Sequence, residues 1–189
     1  MTDVPNWFDQ PALGQFTARA QFERHLLPLA GHPDLHFVQI GVFTGDASVW
    51  LLENVPGCTL DDVDVWTPED YFGVLGTDAE RIHDERVASF GDRVRKFKQP
   101  AWEYFRDQHE PADFVYIDGD HFAVSVIEDA VCAWRQLKVG GILAFDDYSD
   151  LGSEFEHPHL AVDAFVSVYA NRVEVLSRAT QVWLRKVAE

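Results

Sequence analysis

The sequence predicts an α/β domain: a doubly wound, mostly parallel sheet of seven strands, helices on both faces, and an antiparallel hairpin at the C-terminus. Three observations predict it. Short apolar runs at His36–Ile40, Asp113–Ile117 and Ile142–Phe145 suit strands covered on both faces. Between the runs lie segments of helical spacing. In the clearest of these, Ala123, Val126, Ile127, Ala130, Val131, Trp134 and Leu137 recur at i, i+3, i+4, i+7 and form one apolar face. Strands alternating with helices make parallel βαβ units, and such sheets bind ligands beyond the carboxyl ends of their strands. The segments at those ends are GVFTGD, DVW, KQP, DGDH and DDY, and four of the five carry an acid.

In chain order, a helix is expected near Phe16–Ala30, then a strand over His36–Ile40 running into GVFTG. A helix over Asp46–Asn54 and a strand over Thr59–Val65 follow. Trp66–Ser89 is a long connection whose second half, Ala79–Phe90, has helical character. A strand at Val94–Phe97, a short helix at Ala101–Gln108 and a strand at Asp113–Ile117 come next. The amphipathic helix from Ala123 ends at the turn LKVGG, which leads into a strand over Ile142–Phe145. A helix near Pro158–Ala170 precedes RVEVLS and TQVWLRK, a closing hairpin pair. No repeat, low-complexity tract or Ser/Gly linker interrupts this order. The expectation is one domain over 1–189, with a helical extension at 1–35 and a core at 36–186.

The 189 residues are 47% hydrophobic and 25% charged, an ordinary globular composition. Fifteen Lys and Arg against 32 Asp and Glu give a formal charge of −17. Such a surface repels phosphate backbones and anionic lipid, so nucleic acid and membranes are not expected partners, whereas cations are. The first residues show neither a basic n-region nor an apolar h-region, and no run reaches the ~18 apolar residues of a membrane span. Cys58 and Cys132 form no zinc-ligand spacing, and Cys132 falls in an apolar helical pattern that reads as a buried thiol. A cytoplasmic location is expected.

Gly41 and Gly45 in QIGVFTGDAS let the backbone turn tightly between strand and helix. The helix N-terminus beyond them suits a carboxylate or phosphate. The spacing is neither GxGxxG nor GxxxxGK[ST], which weakens a dinucleotide or NTP reading, and a plain strand–helix turn is the alternative. Asp64, at the end of the second strand, is placed to accept hydrogen bonds from both hydroxyls of a ribose, or is simply solvated. Trp66 stacks on a base or packs. Asp61 and Asp62 read as solvated. The remaining tryptophans read as packing.

The most informative acids are Asp118 after the fourth strand and Asp146 and Asp147 after the fifth. If those strands are neighbours, about 4.8 Å apart, three carboxylates converge at one rim, with Asp120 and Asp150 behind. Like charges so placed need a compensating cation, yet no Lys or Arg lies between Val139 and Asn171. Hard oxygen ligands suit Mg²⁺, Ca²⁺ or Mn²⁺; a solvated acidic loop or helix caps are the bland reading. His121, three residues past Asp118, is placed either as a general base or as a structural cap. His157 and His159 flank Pro158 without a strong metal signature. Tyr71, Phe72, Val74 and Leu75 lie where a lid would be found or pack on the core.

With these residues in view, the chain resembles the class I S-adenosylmethionine-dependent methyltransferases. Within them it looks like the group that includes the macrocin and rhamnosyl O-methyltransferases and the cephalosporin-hydroxylase-like proteins. The resemblance covers about His36 to Lys186 and is most specific where DGDH and GG-x₄-DDY occur together in FVYIDGDHFAVSVIEDAVCAWRQLKVGGILAFDDY. It implies a Rossmann-like fold. It further implies that Gly41–Gly45, with Phe43 and Thr44, holds the methionine moiety, and that Asp64 and Trp66 in D-x-W take the ribose side. Gln99, Pro100 and Ala101 would lie near the adenine, with Asp118 beside the cofactor. In metal-dependent relatives a divalent cation sits on the positions of Asp118, Asp146 and Asp147, and the general base occupies the position of His121. The family has an acid two residues before the first glycine, where this chain has Gln39.

The function so implied is a methyltransferase using S-adenosylmethionine and Mg²⁺ on a hydroxylated small molecule, a sugar or natural product. The competing readings are a catalytically inactive binding protein on the same scaffold and an enzyme of another reaction type. The short N-terminal cap and the closing hairpin make a homodimer an expectation.

Overall fold

Consecutive residues of the central strands divide between two apolar layers, and this division sets the architecture. The computed structural model describes residues 8–9, 17–71, 74–107, 109–148 and 157–189. Its elements are α1 (Ala18–Leu26), β1 (Leu35–Ile40), α2 (Asp46–Asn54), β2 (Cys58–Asp64), β3 (Asp70–Tyr71), β4 (Val74–Leu75), α3 (Gly76–Val87), β5 (Val94–Lys98) and α4 (Ala101–Arg106). After these come β6 (Ala112–Ile117), α5 (Ala123–Gln136), β7 (Leu137–Phe145), α6 (Pro158–Val168), β8 (Val173–Arg178) and β9 (Val182–Lys186).

Seven strands form one sheet in the order β5-β2-β1-β6-β7-β9-β8. The pairings β2–β5, β1–β2, β1–β6 and β6–β7 are parallel, while β9 runs antiparallel to both β7 and β8. Strand order therefore reverses between β1 and β6, and a ligand crevice is expected at the carboxyl ends of those two strands. On one face, Val38, Ile40, Val115, Ile117, Leu143 and Phe145 pack with α4, α5 and α6. On the other, Phe37, Leu60, Phe114, Tyr116, Ala144 and Trp183 pack with α1 and α2. Phe22 fastens α1 to that face, with its ring edge-on to Phe114 (5.8 Å), Tyr116 (4.9 Å) and Trp183 (5.4 Å).

The helix expected over Phe16–Ala30 is shorter among the described residues. Thr17 caps α1 by accepting the Ala20 N–H at 3.1 Å, and Pro28 turns the following residues into a 3₁₀ turn at Leu27–Leu29. The helical half of the long connection starts earlier than expected, at Gly76, and gives way to 3₁₀ geometry over Ala88–Arg93. The two-residue strands β3 and β4 pair within that connection, a hairpin the sequence does not announce. Of the candidate lid residues, Phe72 lies outside the described residues, as does Asp150 of the acidic rim. Cys132 is only half-buried, because it sits at the margin of the apolar face of α5; both cysteines are free thiols. Among the described residues no helix is long and apolar enough to cross a membrane.

One expectation is overturned outright. Asp61 and Asp62 are not solvated; both are fully buried. As neighbours on a strand they point to opposite faces, and both faces are covered. Asp61 accepts hydrogen bonds from Arg95 Nε (2.6 Å) and the Tyr104 hydroxyl (2.7 Å) and lies 3.2 Å from His36 Nε2. Asp62 accepts from Ser48 Oγ (3.0 Å) and lies 2.8 Å from His83 Nε2. Buried carboxylates of this kind persist only when paired and hydrogen-bonded.

A second buried charge anchors the sheet's far end. The ammonium of Lys186, a residue 1% exposed, donates to the carbonyls of Trp134 (3.1 Å) and Leu137 (2.8 Å), satisfying the C-terminal end of α5. Replacing it orphans buried carbonyls, so Lys186→Ala should cost about 2–4 kcal/mol in urea unfolding. A loss below half a kilocalorie, taken as roughly the value of an ordinary surface change, would show that the contact is not structural.

Candidate active site

The loop between β1 and α2 lies at the reversal of strand order, and every residue in it is held. Gly41 has φ +78°, and a Cβ there would come within 1.9 Å of the Asp118 carbonyl oxygen, so only glycine lets the ends of β1 and β6 approach. Gly41 N–H donates to the Val63 carbonyl, and Asp118 N–H to the Ile40 carbonyl. Gly45, φ +79°, is the N-cap of α2, and a Cβ there would meet the His83 ring at 2.9 Å. Gln39 Nε2 donates to the Gly41 carbonyl at 3.0 Å. Asp64 Oδ2 accepts from Val42 N–H (2.7 Å) and Phe43 N–H (2.9 Å), and its Oδ1 accepts from Trp66 N–H (2.8 Å). The Trp66 indole N–H donates to the Phe43 carbonyl at 2.9 Å. Arg86 donates to the Thr44 carbonyl (3.0 Å) and pairs with Asp46 (3.0 Å), which also accepts from Thr44 Oγ1 (2.7 Å).

Asp64 thus organises the loop. Three of the roughly four acceptor positions of its carboxylate are taken. Trp66 is buried, with Lys96 Nζ 5.0 Å from its ring centroid, so in this structure it packs beneath the loop. Gln99 N–H donates to the Asp64 carbonyl at 3.0 Å, which brings Gln99, Pro100 and Ala101 alongside the same strand ends; Pro100 is the N-cap of α4.

The acids after β6 and β7 converge as the strand order requires. Ile117 and Phe145 are register partners, and Asp146 N–H donates to the Ile117 carbonyl at 3.0 Å. Ligand atoms of Asp118, His121 and Asp147 all lie within 4.8 Å of one another, with His121 Nε2 2.9 Å from Asp147 Oδ2. Asp146 has a different environment. Its Oδ2 accepts from the Tyr116 hydroxyl at 2.5 Å, its Oδ1 accepts from Asp147 N–H at 2.8 Å, and Gln181 Nε2 donates to Tyr116 in turn. Asp147 is held at φ 54°, a left-handed conformation that few residues other than glycine adopt and that clusters at functional sites.

The electrostatics follow from burial and like charge. Burial raises the Asp118 carboxyl well above its ordinary value, and Asp146, Asp147 and Asp64 push it further. Burial and the Asp147 charge push Asp146 up to about 6. Tyr116 is driven well above the ordinary phenol range by burial and the surrounding carboxylates. Asp118 and Asp147, with His121, form a donor set suited to a divalent cation, which would relieve the repulsion that raises Asp118.

The sequence profile of the methyltransferase domain matches residues 38–148. The chain belongs to the class I S-adenosylmethionine-dependent methyltransferases. Three solved structures show this methyltransferase's likeness to others. The O-methyltransferase from Bacillus cereus, in complex with S-adenosylhomocysteine, aligns at TM-score 0.67 with 16% identity, over 97% of this chain and 85% of that one. The O-methyltransferase TomG from Streptomyces achromogenes, involved in tomaymycin synthesis and complexed with S-adenosylmethionine, aligns at 0.68 with 16% identity, over 98% and 84%. MycE, the methyltransferase from the mycinamycin biosynthetic pathway in complex with Mg and S-adenosylhomocysteine, aligns at 0.64 with 12% identity. That alignment covers 94% of this chain, which spans about half (51%) of MycE. No curated protein matches the chain by sequence.

Sequence reasoning missed Tyr116, Gln181, Ser48, His83 and Arg86. For His83 a signal existed. Ala79, His83 and Val87 recur at i, i+4, i+8 and are the buried face of α3, so a histidine on that stripe had to find a buried partner.

Proposed function

We propose that this methyltransferase transfers the methyl group of S-adenosylmethionine to a hydroxyl of a small molecule, a sugar or natural product, with a divalent cation at the acidic rim. The observation that supports it is the meeting of Asp118, His121 and Asp147 across the strand-order reversal from the Gly41–Gly45 loop.

In this reading the loop and the N-terminus of α2 receive the methionine carboxylate through backbone N–H groups. Asp64 keeps Val42 and Phe43 in place and offers its remaining acceptor position to a ribose hydroxyl. Trp66 acts through the loop it supports, and Gln99–Ala101 borders the adenine. Asp118 and Asp147 hold the cation, and Asp146 completes the rim while fixing Asp147 through its N–H. The cation supplies a Lewis acid that lowers the pKa of an acceptor hydroxyl. His121, braced by Asp147, removes that proton. Transfer then depends on holding the acceptor oxygen and the methyl carbon about 3–3.5 Å apart. The charge of −17 supports a neutral or cationic acceptor rather than nucleic acid.

The test is turnover against a panel of hydroxylated acceptors, with labelled S-adenosylmethionine, before and after exhaustive chelation. Activity should vanish on chelation and return with Mg²⁺. Undiminished turnover would remove the cation from the mechanism.

A further inference from the structure

The cofactor loop is gripped from below by groups that the methyl-transfer chemistry does not use. Gln39, Ser48, Asp62 and His83 are all fully buried, on four different elements. The Ser48 hydroxyl lies 3.3 Å from Gln39 Oε1 and 3.0 Å from Asp62 Oδ1, and His83 Nε2 is 2.8 Å from Asp62 Oδ2. Gln39 and Asp62 are register partners across β1 and β2. The chain of contacts thus starts at the Gly41 carbonyl, passes through Gln39, Ser48 and Asp62, and ends at His83, whose ring abuts Gly45. Both ends of the five-residue loop rest on it.

His83 also lies 5.1 Å, ring to ring, from Trp66, the residue that holds the Phe43 carbonyl. Its other nitrogen, Nδ1, is 3.1 Å from Asp84, which receives Lys96 from β5 at 2.8 Å. Burial opposes a charge on His83, yet its bonds to Asp62 and Asp84 outweigh that and hold its pKa above the ordinary value. Burial likewise raises the Asp62 carboxyl. A fully enclosed hydrogen-bonded pair of this kind is stiff, because each member left alone would be a buried polar group without its partner. One helical turn further on, Arg86 of the same helix reaches the Thr44 carbonyl and Asp46.

We propose that the Asp62–His83 pair is a positioning device for the cofactor, by which α3 sets the shape of the Gly41–Gly45 loop. This rests on the reading of that loop as the S-adenosylmethionine site. Asp62 and His83 touch no substrate; they act through Gly41 and Gly45. Cutting the supporting partners of metal ligands costs about 10–100-fold in metal affinity or activity, and a loss of the same order is expected for a loop held in the same way.

The test is calorimetric titration of S-adenosylhomocysteine into the full chain, alongside thermal unfolding, for the wild type, Asp62→Asn, His83→Gln and the double variant. Asp61→Asn is the comparison, since Asp61 is equally buried on the same strand but faces α4, away from the loop. Asp62→Asn and His83→Gln should each weaken binding about tenfold or more. Asp61→Asn should lower the unfolding midpoint as much but leave affinity within about twofold, as expected of a site that does not share partners with the loop. Because the two residues act as one unit, the double variant should bind no more weakly than the poorer single one. His83→Gln keeps a donor for Asp62 and serves if Asp62→Asn fails to fold. Affinity unchanged in both single variants despite lowered midpoints, or fully additive losses, would overturn the proposal. A wild type that binds no S-adenosylhomocysteine would instead overturn the underlying reading of the loop.

Discussion

His121→Ala should lower kcat by about 10²–10⁴-fold, the range for losing a positioned general base, while S-adenosylhomocysteine binds with unchanged affinity. The separation follows from where the groups sit. His121 stands on the β6–α5 connection, 2.9 Å from Asp147, and none of the loop's hydrogen bonds described above involves it. Those bonds come from β1, β2, α3 and Trp66, so the cofactor site should survive the change. Asp147 holds one ring nitrogen of His121 in place, which leaves the imidazole oriented rather than free to rotate. The measurement is single-turnover methyl transfer to an acceptor found by screening, paired with calorimetry. Equal kcat in wild type and variant would end the assignment of His121 as base. A parallel loss of cofactor binding would make it a structural residue.

The frame of the molecule was legible because it depends on local periodicity. Alternation of short apolar runs with amphipathic stretches names a parallel sheet without any knowledge of contacts, and the bounds of α2, Asp46–Asn54, follow from the loop before it. The positions of Asp118 and Asp146 were legible for the same reason: each is the first residue after a strand, and those strands proved to be neighbours. What could not be read is whatever depends on partners distant in sequence. Asp61 and Asp62 look like a solvated pair because nothing nearby neutralises them. Their partners Arg95 and His83 lie 34 and 21 residues away. Once the strand is placed between two helical layers, its alternation sends one acid to each layer, and burial follows.

Asp146 and Asp147 show the same limit at finer scale. As consecutive acids after a strand they are equivalent in sequence. In the fold Tyr116, from the adjacent strand, claims Asp146, whereas Asp147 turns left-handed and meets Asp118 and His121. Gln39 stands where the family resemblance leads one to expect an acid, and an amide can order the loop there by hydrogen bonding. The amide donates to the Gly41 carbonyl, something a carboxylate cannot do, and its oxygen faces Ser48. A fully buried carboxyl group does stand near that position, on Asp62 one strand over.

The second large effect is expected at Asp64. Its carboxylate is a three-way acceptor for the backbone N–H groups of Val42, Phe43 and Trp66, and hydrogen bonds to a charged group contribute about 1.5–3 kcal/mol each. Asp64→Ala leaves three donors to water or to nothing, and the loop that should cradle the cofactor loses its shape. If the equivalent of two such bonds is expressed in binding, S-adenosylhomocysteine affinity falls by at least about 100-fold, since each 1.4 kcal/mol is tenfold. Asp64→Asn separates charge from shape. The amide keeps one acceptor oxygen but turns an NH₂ toward N–H donors on its other side, so it cannot satisfy both the Val42–Phe43 pair and Trp66. It should therefore sit between wild type and alanine in affinity. Binding by Asp64→Asn within threefold of wild type would show that the carboxylate neither organises the loop nor meets the ribose.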